Sequence, residues 1–351
     1  MEPLRVAVVG AGYWGPNLIR NFQSCPDTDL RLVCDADRSR AERAVGRYST
    51  VRVTDAFDEV LADGAVEAVA IATPARTHLD LAMACLESGR HVLVEKPLAT
   101  TVADGRKLID AAAEHGVALM CDHTYCYTPA VRKIRELTLS GALGDIQYVD
   151  SVRINLGLVQ RDIDVLWDLA PHDLSILDVI LPPGREPLAV AAHGADPIGA
   201  GRTCVGYLTL PLRGGAIAHA HVNWLSPTKI RTMIVGGSER TLVWDDLSPT
   251  QRISVYDRGV DLREDAVSGD QRHQALVSYR MGDMTAPALG EGEALREVVG
   301  EFAAAAREGR RPLTDGHAGL RVLRILEAAS ESLRLGGATV PLNGWLDGAD
   351  Q

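Results

Sequence analysis

The sequence predicts an α/β Rossmann domain, a doubly wound parallel sheet, followed by an α+β domain with a large, open, mainly antiparallel sheet. Three observations carry this. The apolar run Leu4-Arg5-Val6-Ala7-Val8-Val9 enters Gly10-Ala11-Gly12-Tyr13-Trp14-Gly15. Apolar strands then alternate with helical segments over the first third of the chain. Beyond Cys121 the pattern turns to longer strands with few helices between them. At 351 residues the chain suits two domains better than one core, divided as 1–122 and 123–351.

Each glycine of the turn has its own job. Gly10 makes the tight turn, Gly12 lets a pyrophosphate approach the backbone, and Gly15 lets the helix pack against the strand. The helix then aims free N–H groups and its positive dipole end at the phosphates. Leu30–Cys34 reads as the second strand and ends at Asp35, twenty residues past Gly15. A carboxylate there accepts ribose hydroxyls and repels a 2′-phosphate, so the expected cofactor is NAD. Arg38 works in the opposite direction, because it can pair with that phosphate.

Strands are expected next at Val51–Val53, Ala68–Ala72, His91–Val94 and Val117–Met120. Helices fit between them at Trp14–Gln23, Arg38–Arg47, Phe57–Leu61, Leu79–Ser88 and Val102–Glu114. Thr101 and Asp104 make a capping-box-like start, and Gly116 sits where a helix C′ residue belongs. In the second part, Pro129–Ser140 and Val165–Ile180 read as helices. Strands are expected at Ile146–Ile154, Leu188–Ala192, Val205–Leu210, Ala216–Leu225, Ile230–Val235, Thr241–Trp244 and Ile253–Tyr256. Glu291–Glu308 and Gly319–Leu335 are helical again.

Composition narrows the class. With 46% hydrophobic and 24% charged residues, the chain is an ordinary globular one. Its net charge of −11 and lack of a basic stripe argue against nucleic acid. No apolar run is long enough for a bilayer, and Met1–Arg5 leads straight into a strand, so a cytoplasmic protein is expected. Cys25, Cys34, Cys85, Cys121, Cys126 and Cys204 form no C-x-x-C pair and read as reduced, buried thiols.

Three residues stand out for chemistry. Lys96 follows Val92-Leu93-Val94-Glu95 at a strand's C-terminal end, where open α/β sheets place ligands. Burial there lets a lysine exchange its proton, and Glu95 can orient the ammonium. Asp168 and His172 lie four apart on one helix face, beside the stripe Leu166, Leu169, Leu174, Leu177 and Ile180. Spacing alone supports two readings equally. One is a stabilising helix pair; the other is an acid–base pair whose imidazole, with an ordinary pKa, takes an alcohol proton. His219 and His221 share a strand face, yet no third ligand has suitable spacing, so no metal is expected.

Four elements in this order resemble the Gfo/Idh/MocA oxidoreductases: GAGYWG with Asp35; Val66–Pro74 followed by Thr77-His78; Gly89–Ala99 with Glu95-Lys96-Pro97; and Asp168-Leu169-Ala170-Pro171-His172. The resemblance covers nearly the whole chain, to about Leu335. It implies that Lys96, Asp168 and His172 are catalytic and meet substrate near the nicotinamide. It also implies cofactor contacts from Gly10, Gly12, Tyr13, Trp14, Gly15, Asp35, Arg38, Thr73, Pro74, His78, Glu95 and Lys96, although His78 reads equally as an ordinary helix N-terminal residue. Candidate substrate contacts are Lys96, Asp168, His172, His123 and Tyr125, the last two where Asp122-His123 departs from the family pattern. Arg153 and Asn155 alternate on one strand face and either reach a sugar or stand in solvent.

Asp164–Asp173 most resembles members that oxidise C3 of nucleotide-linked amino sugars. The expected activity is therefore NAD-dependent oxidation of a secondary alcohol, at C3, of a sugar or amino sugar, nucleotide-linked or within a glycoside. An aminoglycoside-type intermediate and an inositol are the alternative substrates. A non-catalytic NAD sensor is disfavoured because it needs the glycines and Asp35 but not the trio. In the family the open face of the second sheet makes the oligomer contact and the C-terminal helices pack back between the domains, which implies a homodimer or homotetramer.

Overall fold

The computed structural model describes residues 2–47, 49–160, 163–263 and 276–342. The first part runs β1 (Leu4–Val9), α1 (Gly15–Ser24), β2 (Thr28–Cys34), α2 (Arg38–Val45), β3 (Arg52–Thr54), α3 (Phe57–Ala62), β4 (Ala68–Ile71), α4 (His78–Glu87), β5 (His91–Glu95), α5 (Val102–His115) and β6 (Leu119–Asp122). Its six strands are parallel in the order β3-β2-β1-β4-β5-β6. Helices cover both faces, which explains why these strands are apolar throughout rather than alternating. The order reverses between β1 and β4, so a crevice opens beyond their C-terminal ends. Gly10, Asp35, Thr73, Lys96 and Asp122 all stand on that rim.

The second part runs α6 (Pro129–Leu139), β7 (Ile146–Leu156), α7 (Val165–Ile180), β8 (Ala189–Ala195), β9 (Val205–Pro211), β10 (Ile217–Asn223), β11 (Leu225–Gly237), β12 (Thr241–Asp245), β13 (Ile253–Arg263), β14 (Leu276–Thr285), α8 (Ala294–Glu308), α9 (Gly316–Arg334) and β15 (Val340–Pro341). Nine strands form a sheet in the order β14-β13-β12-β11-β7-β10-β9-β8-β15. β7 and β10 pair in parallel and the other neighbours are antiparallel. On β9 and β10 every second residue is buried on the side that α7 covers. Gly206 lets the helix in: a Cβ there would lie 2.6 Å from Leu166 Cδ2.

The expected strand Ala216–Leu225 is two elements. The chain turns at the buried Trp224, and β11 then runs back beside β7. β14 and β15 were not legible: Leu276–Thr285 mixes apolar residues with Gly282 and Asp283, and β15 is two residues long. The helix α9 touches α5 and β6 on one side and α7 and β8 on the other, so it joins the two sheets. At the opposite end of the first sheet, Glu67 accepts from Arg5 (3.1 Å) and Arg307 (2.8 and 2.9 Å), fastening α8 to β1 and β4. All six cysteines are buried and free. Among the described residues no helix is long and apolar enough to cross a membrane.

Candidate active site at the strand-end crevice

The glycine turn has the shape a dinucleotide needs. Gly10 adopts φ +100°, and a Cβ on it would lie 2.6 Å from the Ala72 carbonyl oxygen. A Cβ on Gly15 would meet the Gly10 carbonyl oxygen at 2.1 Å, so α1 must start with glycine to pack there. Gly12 has nothing within 4 Å of its Cβ position, which leaves its backbone open to a pyrophosphate. Asp35 accepts from Ala11 N at 2.6 Å and from Asp37 N at 2.8 Å. Those bonds use one acceptor position on each oxygen, and a carboxylate oxygen has a second for a ribose hydroxyl.

Around this turn the expected residues separate by role. Tyr13 is 96% exposed, whereas Trp14 turns inward and its Nε1–H points at Asp122 Oδ2, 3.4 Å away. Arg38 is exposed and paired with Glu42 at 3.0 Å. Arg40 and Arg43, which composition did not single out, line the groove beside Gly12 and Tyr13. Thr73 accepts from the Thr77 hydroxyl at 2.8 Å. His78 is buried behind that loop, its ring nitrogens 2.8 Å from the Pro97 carbonyl and 2.9 Å from the Thr73 carbonyl. At 1% exposure it straps the loops after β4 and β5 together rather than facing the crevice.

Lys96 crosses from the first sheet to α7. Its Nζ donates to the Asp168 main-chain carbonyl at 2.8 Å and to Asp168 Oδ1 at 3.3 Å. Both side chains are largely sequestered, at 14% and 18% exposed. Pro171 follows inside the helix and carries no N–H for the Trp167 carbonyl. Trp224 Nε1 donates to Asp168 Oδ2 at 3.0 Å, so the carboxylate is held from both sides. Asp164 caps the helix through Trp167 N at 3.0 Å.

This differs from the expected arrangement in three ways. Asp168 bonds to Lys96 and Trp224, and His172 Nδ1 is buried without a partner. Asp168, not Glu95, holds the Lys96 ammonium, and Glu95 stands directly opposite Asp122 on the next strand. His172 is also not an ordinary imidazole. Burial, then the charges of Lys96 and Arg153, push its pKa well below the usual histidine value.

The candidate substrate residues also sort themselves. Tyr125 meets His172 edge-on, ring centroids 5.0 Å apart, and lies under the Arg153 guanidinium at 4.3 Å. Arg153 is neither solvated nor free for a sugar: at 3% exposure it bonds Asp173 through two nitrogens, at 2.8 and 3.0 Å. Asn155, two residues on, is half-buried near Trp224. His123 is 1% exposed and its ring nitrogens have no partner, and burial pushes its pKa down to about 3. His219 and His221 lie elsewhere, stacked on Tyr207 at 6.1 and 4.4 Å. Trp224, Asp173 and Asp122 went unsingled because each is a lone residue whose partner is distant in sequence.

Residues 4–123 match the oxidoreductase family with an NAD-binding Rossmann fold that carries the Gfo/Idh/MocA name. Over that segment the chain is similar to the Gfo/Idh/MocA oxidoreductases. It is 26% identical to the UDP-N-acetylglucosamine 3-dehydrogenase of Acidithiobacillus ferrooxidans over 92% of this chain and 95% of that one. A solved structure of that enzyme superposes with a TM-score of 0.79, covering 95% and 99% of the two chains at 25% identity. GenD2 from gentamicin A biosynthesis, solved with NAD, gives 0.80 at 28% identity, covering 98% and 97%. The D-glucoside 3-dehydrogenase of Escherichia coli is 33% identical over 43% of each chain. The first curated relatives, that enzyme included, are thus matched over only 40–43% of their length. The NAD-binding match ends at His123, just beyond β6.

Proposed function

We propose that the chain is an NAD(H)-dependent dehydrogenase, working in the cytoplasm, that oxidises the C3 secondary alcohol of a sugar or amino sugar to a ketosugar. One observation carries this. Lys96, at a strand end of the NAD-binding sheet, is gripped by Asp168 of α7, whose next turn presents His172. An ammonium, a carboxylate and a neutral imidazole are thereby gathered at the crevice where the fold places a dinucleotide. The C3 assignment draws support from the similar 3-dehydrogenases of Acidithiobacillus ferrooxidans and Escherichia coli.

NAD, when bound, supplies the hydride acceptor; Gly10, Gly12, Gly15 and Asp35 would hold it. Lys96 donates a hydrogen bond to the carbinol oxygen and stabilises the negative charge that grows there as the C–H bond breaks. His172 takes the hydroxyl proton. Its depressed pKa keeps it neutral and ready to accept, and makes the resulting imidazolium quick to pass the proton on. Asp168 fixes Lys96 and is itself fixed by Trp224, while Tyr125 walls the site beside His172.

The likeness to GenD2 favours a second substrate reading, an aminoglycoside-type intermediate. The test is NADH formation by the pure protein with nucleotide sugars, free amino sugars, aminoglycosides and inositols. Turnover of an inositol alone would refute the amino-sugar reading, and no turnover with any alcohol would refute the enzyme. We also propose that the chain divides at 122/123, with α8 and α9 returning to the first sheet.

A further inference from the structure

Glu95 ends β5 and Asp122 ends β6, and the two face each other in register. Their carboxyl groups interact across the register in a buried wall, where two adjacent negative charges oppose one another, so one of the pair carries a proton. The surrounding donors say which. Asp122 accepts from the Thr124 hydroxyl at 2.7 Å and faces the Trp14 indole N–H at 3.4 Å, whereas Glu95 has the Lys96 backbone N–H beside it and its Oε2 is buried with no partner among the described residues. Donors stabilise an anion, so Asp122 is the carboxylate and Glu95 the acid that donates to it. Trp14 belongs to the glycine turn and Lys96 is the next residue after Glu95. The pair therefore joins the phosphate-binding turn to the strand end that carries the proposed catalytic lysine.

We propose that Glu95 and Asp122 act as one carboxyl pair, protonated on Glu95, that holds a single negative charge in the crevice wall and makes discrimination between NAD⁺ and NADH depend on pH. Neither residue touches the reacting atoms, so both are positioning residues. Burial, with the Asp122 carboxylate beside it, pushes Glu95 well above the usual carboxylate range. Burial also raises Asp122, against the pull of Thr124, Glu95 and Trp14. The other ionisable groups that face the pair are Lys96 from its own loop, the buried thiols Cys121 and Cys126, and His123. Both thiols are pushed up and His123 is pushed down, so all three are neutral at neutral pH.

The consequence follows from charge. As pH rises through the titration of Glu95, the wall goes from one negative charge to two. A second negative charge favours the cationic nicotinamide of NAD⁺ over neutral NADH. The ratio Kd(NADH)/Kd(NAD⁺) should then rise by up to about tenfold per pH unit across that window. Glu95→Gln leaves one carboxylate and no shared proton, so it should make the ratio flat, whereas Asp122→Asn leaves Glu95 to titrate and should move the change to lower pH.

Two measurements on the full chain test this. Infrared spectra of wild type minus Glu95→Gln should show the carbonyl stretch of a protonated carboxylic acid at neutral pH, and this band should vanish as pH rises. Asp122→Asn, which removes the partner anion but not the burial, should make the band vanish at a lower pH than in wild type. Cofactor titrations of all three proteins across pH give the ratio. No Glu95-dependent acid band at neutral pH would overturn the proposal. So would a ratio independent of pH in wild type, or one that changes equally in the variants. The cofactor arm rests on the proposed NAD chemistry; the infrared arm does not. A protein that turns over no alcohol would still report the pair.

Discussion

At the residue scale, Lys96→Ala should lower kcat by a factor on the order of 10²–10⁴, and His172→Ala should do the same, with NADH binding largely retained. Asp168→Asn should be milder, because the main-chain carbonyl at 2.8 Å still holds Lys96. Steady-state kinetics with a cofactor titration would separate these effects. The acid limb of the kcat/KM profile should lie well below the usual histidine value, since burial depresses His172. A limb at that usual value would move the base role away from His172. His123 predicts a matching effect on stability. Its pKa falls from 6.5 to about 3 on folding, so its contribution is present above 6.5 and is lost as pH falls towards 3. Urea denaturation across that window should show a shallower pH slope for His123→Phe. Lys96 stood out at its strand end, and spacing placed Asp168 and His172 on one helix face while leaving their role open; their partners were not legible. The grip of Trp224 on Asp168 spans fifty-six residues, and no periodicity reports such a contact.

At the element scale, the helix Val165–Ile180 was legible to the residue, because Asp164 caps it and its apolar stripe is continuous. Pro171 inside it looked unremarkable in sequence, yet it leaves the Trp167 carbonyl without its helical N–H donor. The break at Trp224 was hidden because Ala216–Leu225 alternates without interruption. Glu67 gives a test at this scale. The Arg307 guanidinium, aided by Arg5, holds its carboxyl down at about 2. That stability is present above the ordinary carboxylate value and is lost as pH falls through about 2. Glu67→Gln should cost about 1–3 kcal/mol at neutral pH and flatten the acid side of the stability curve, as thermal melts across pH would show.

At the scale of the whole molecule, the fold class follows from where apolar residues run continuously and where they alternate. Among the described residues no helix covers one face of the second sheet: Tyr207 is 41% exposed and Ile217 47%, with His219 and His221 beside them. We propose that a second copy covers this face, giving a dimer or tetramer. Light scattering that reports a stable 37.7 kDa particle would contradict it. Cofactor choice is also set by the assembled crevice. Asp35 faces the turn while Arg38 is paired with Glu42, so NAD should be preferred over NADP, and Asp35→Ser should weaken that preference in kcat/KM ratios. The most direct test of the whole arrangement is NADH formation from amino sugars and sugar nucleotides by wild type and by Lys96→Ala. Turnover by the first and its near-complete loss in the second is the expected result. Equal turnover by both would contradict the placement of the chemistry at the meeting of Lys96, Asp168 and His172.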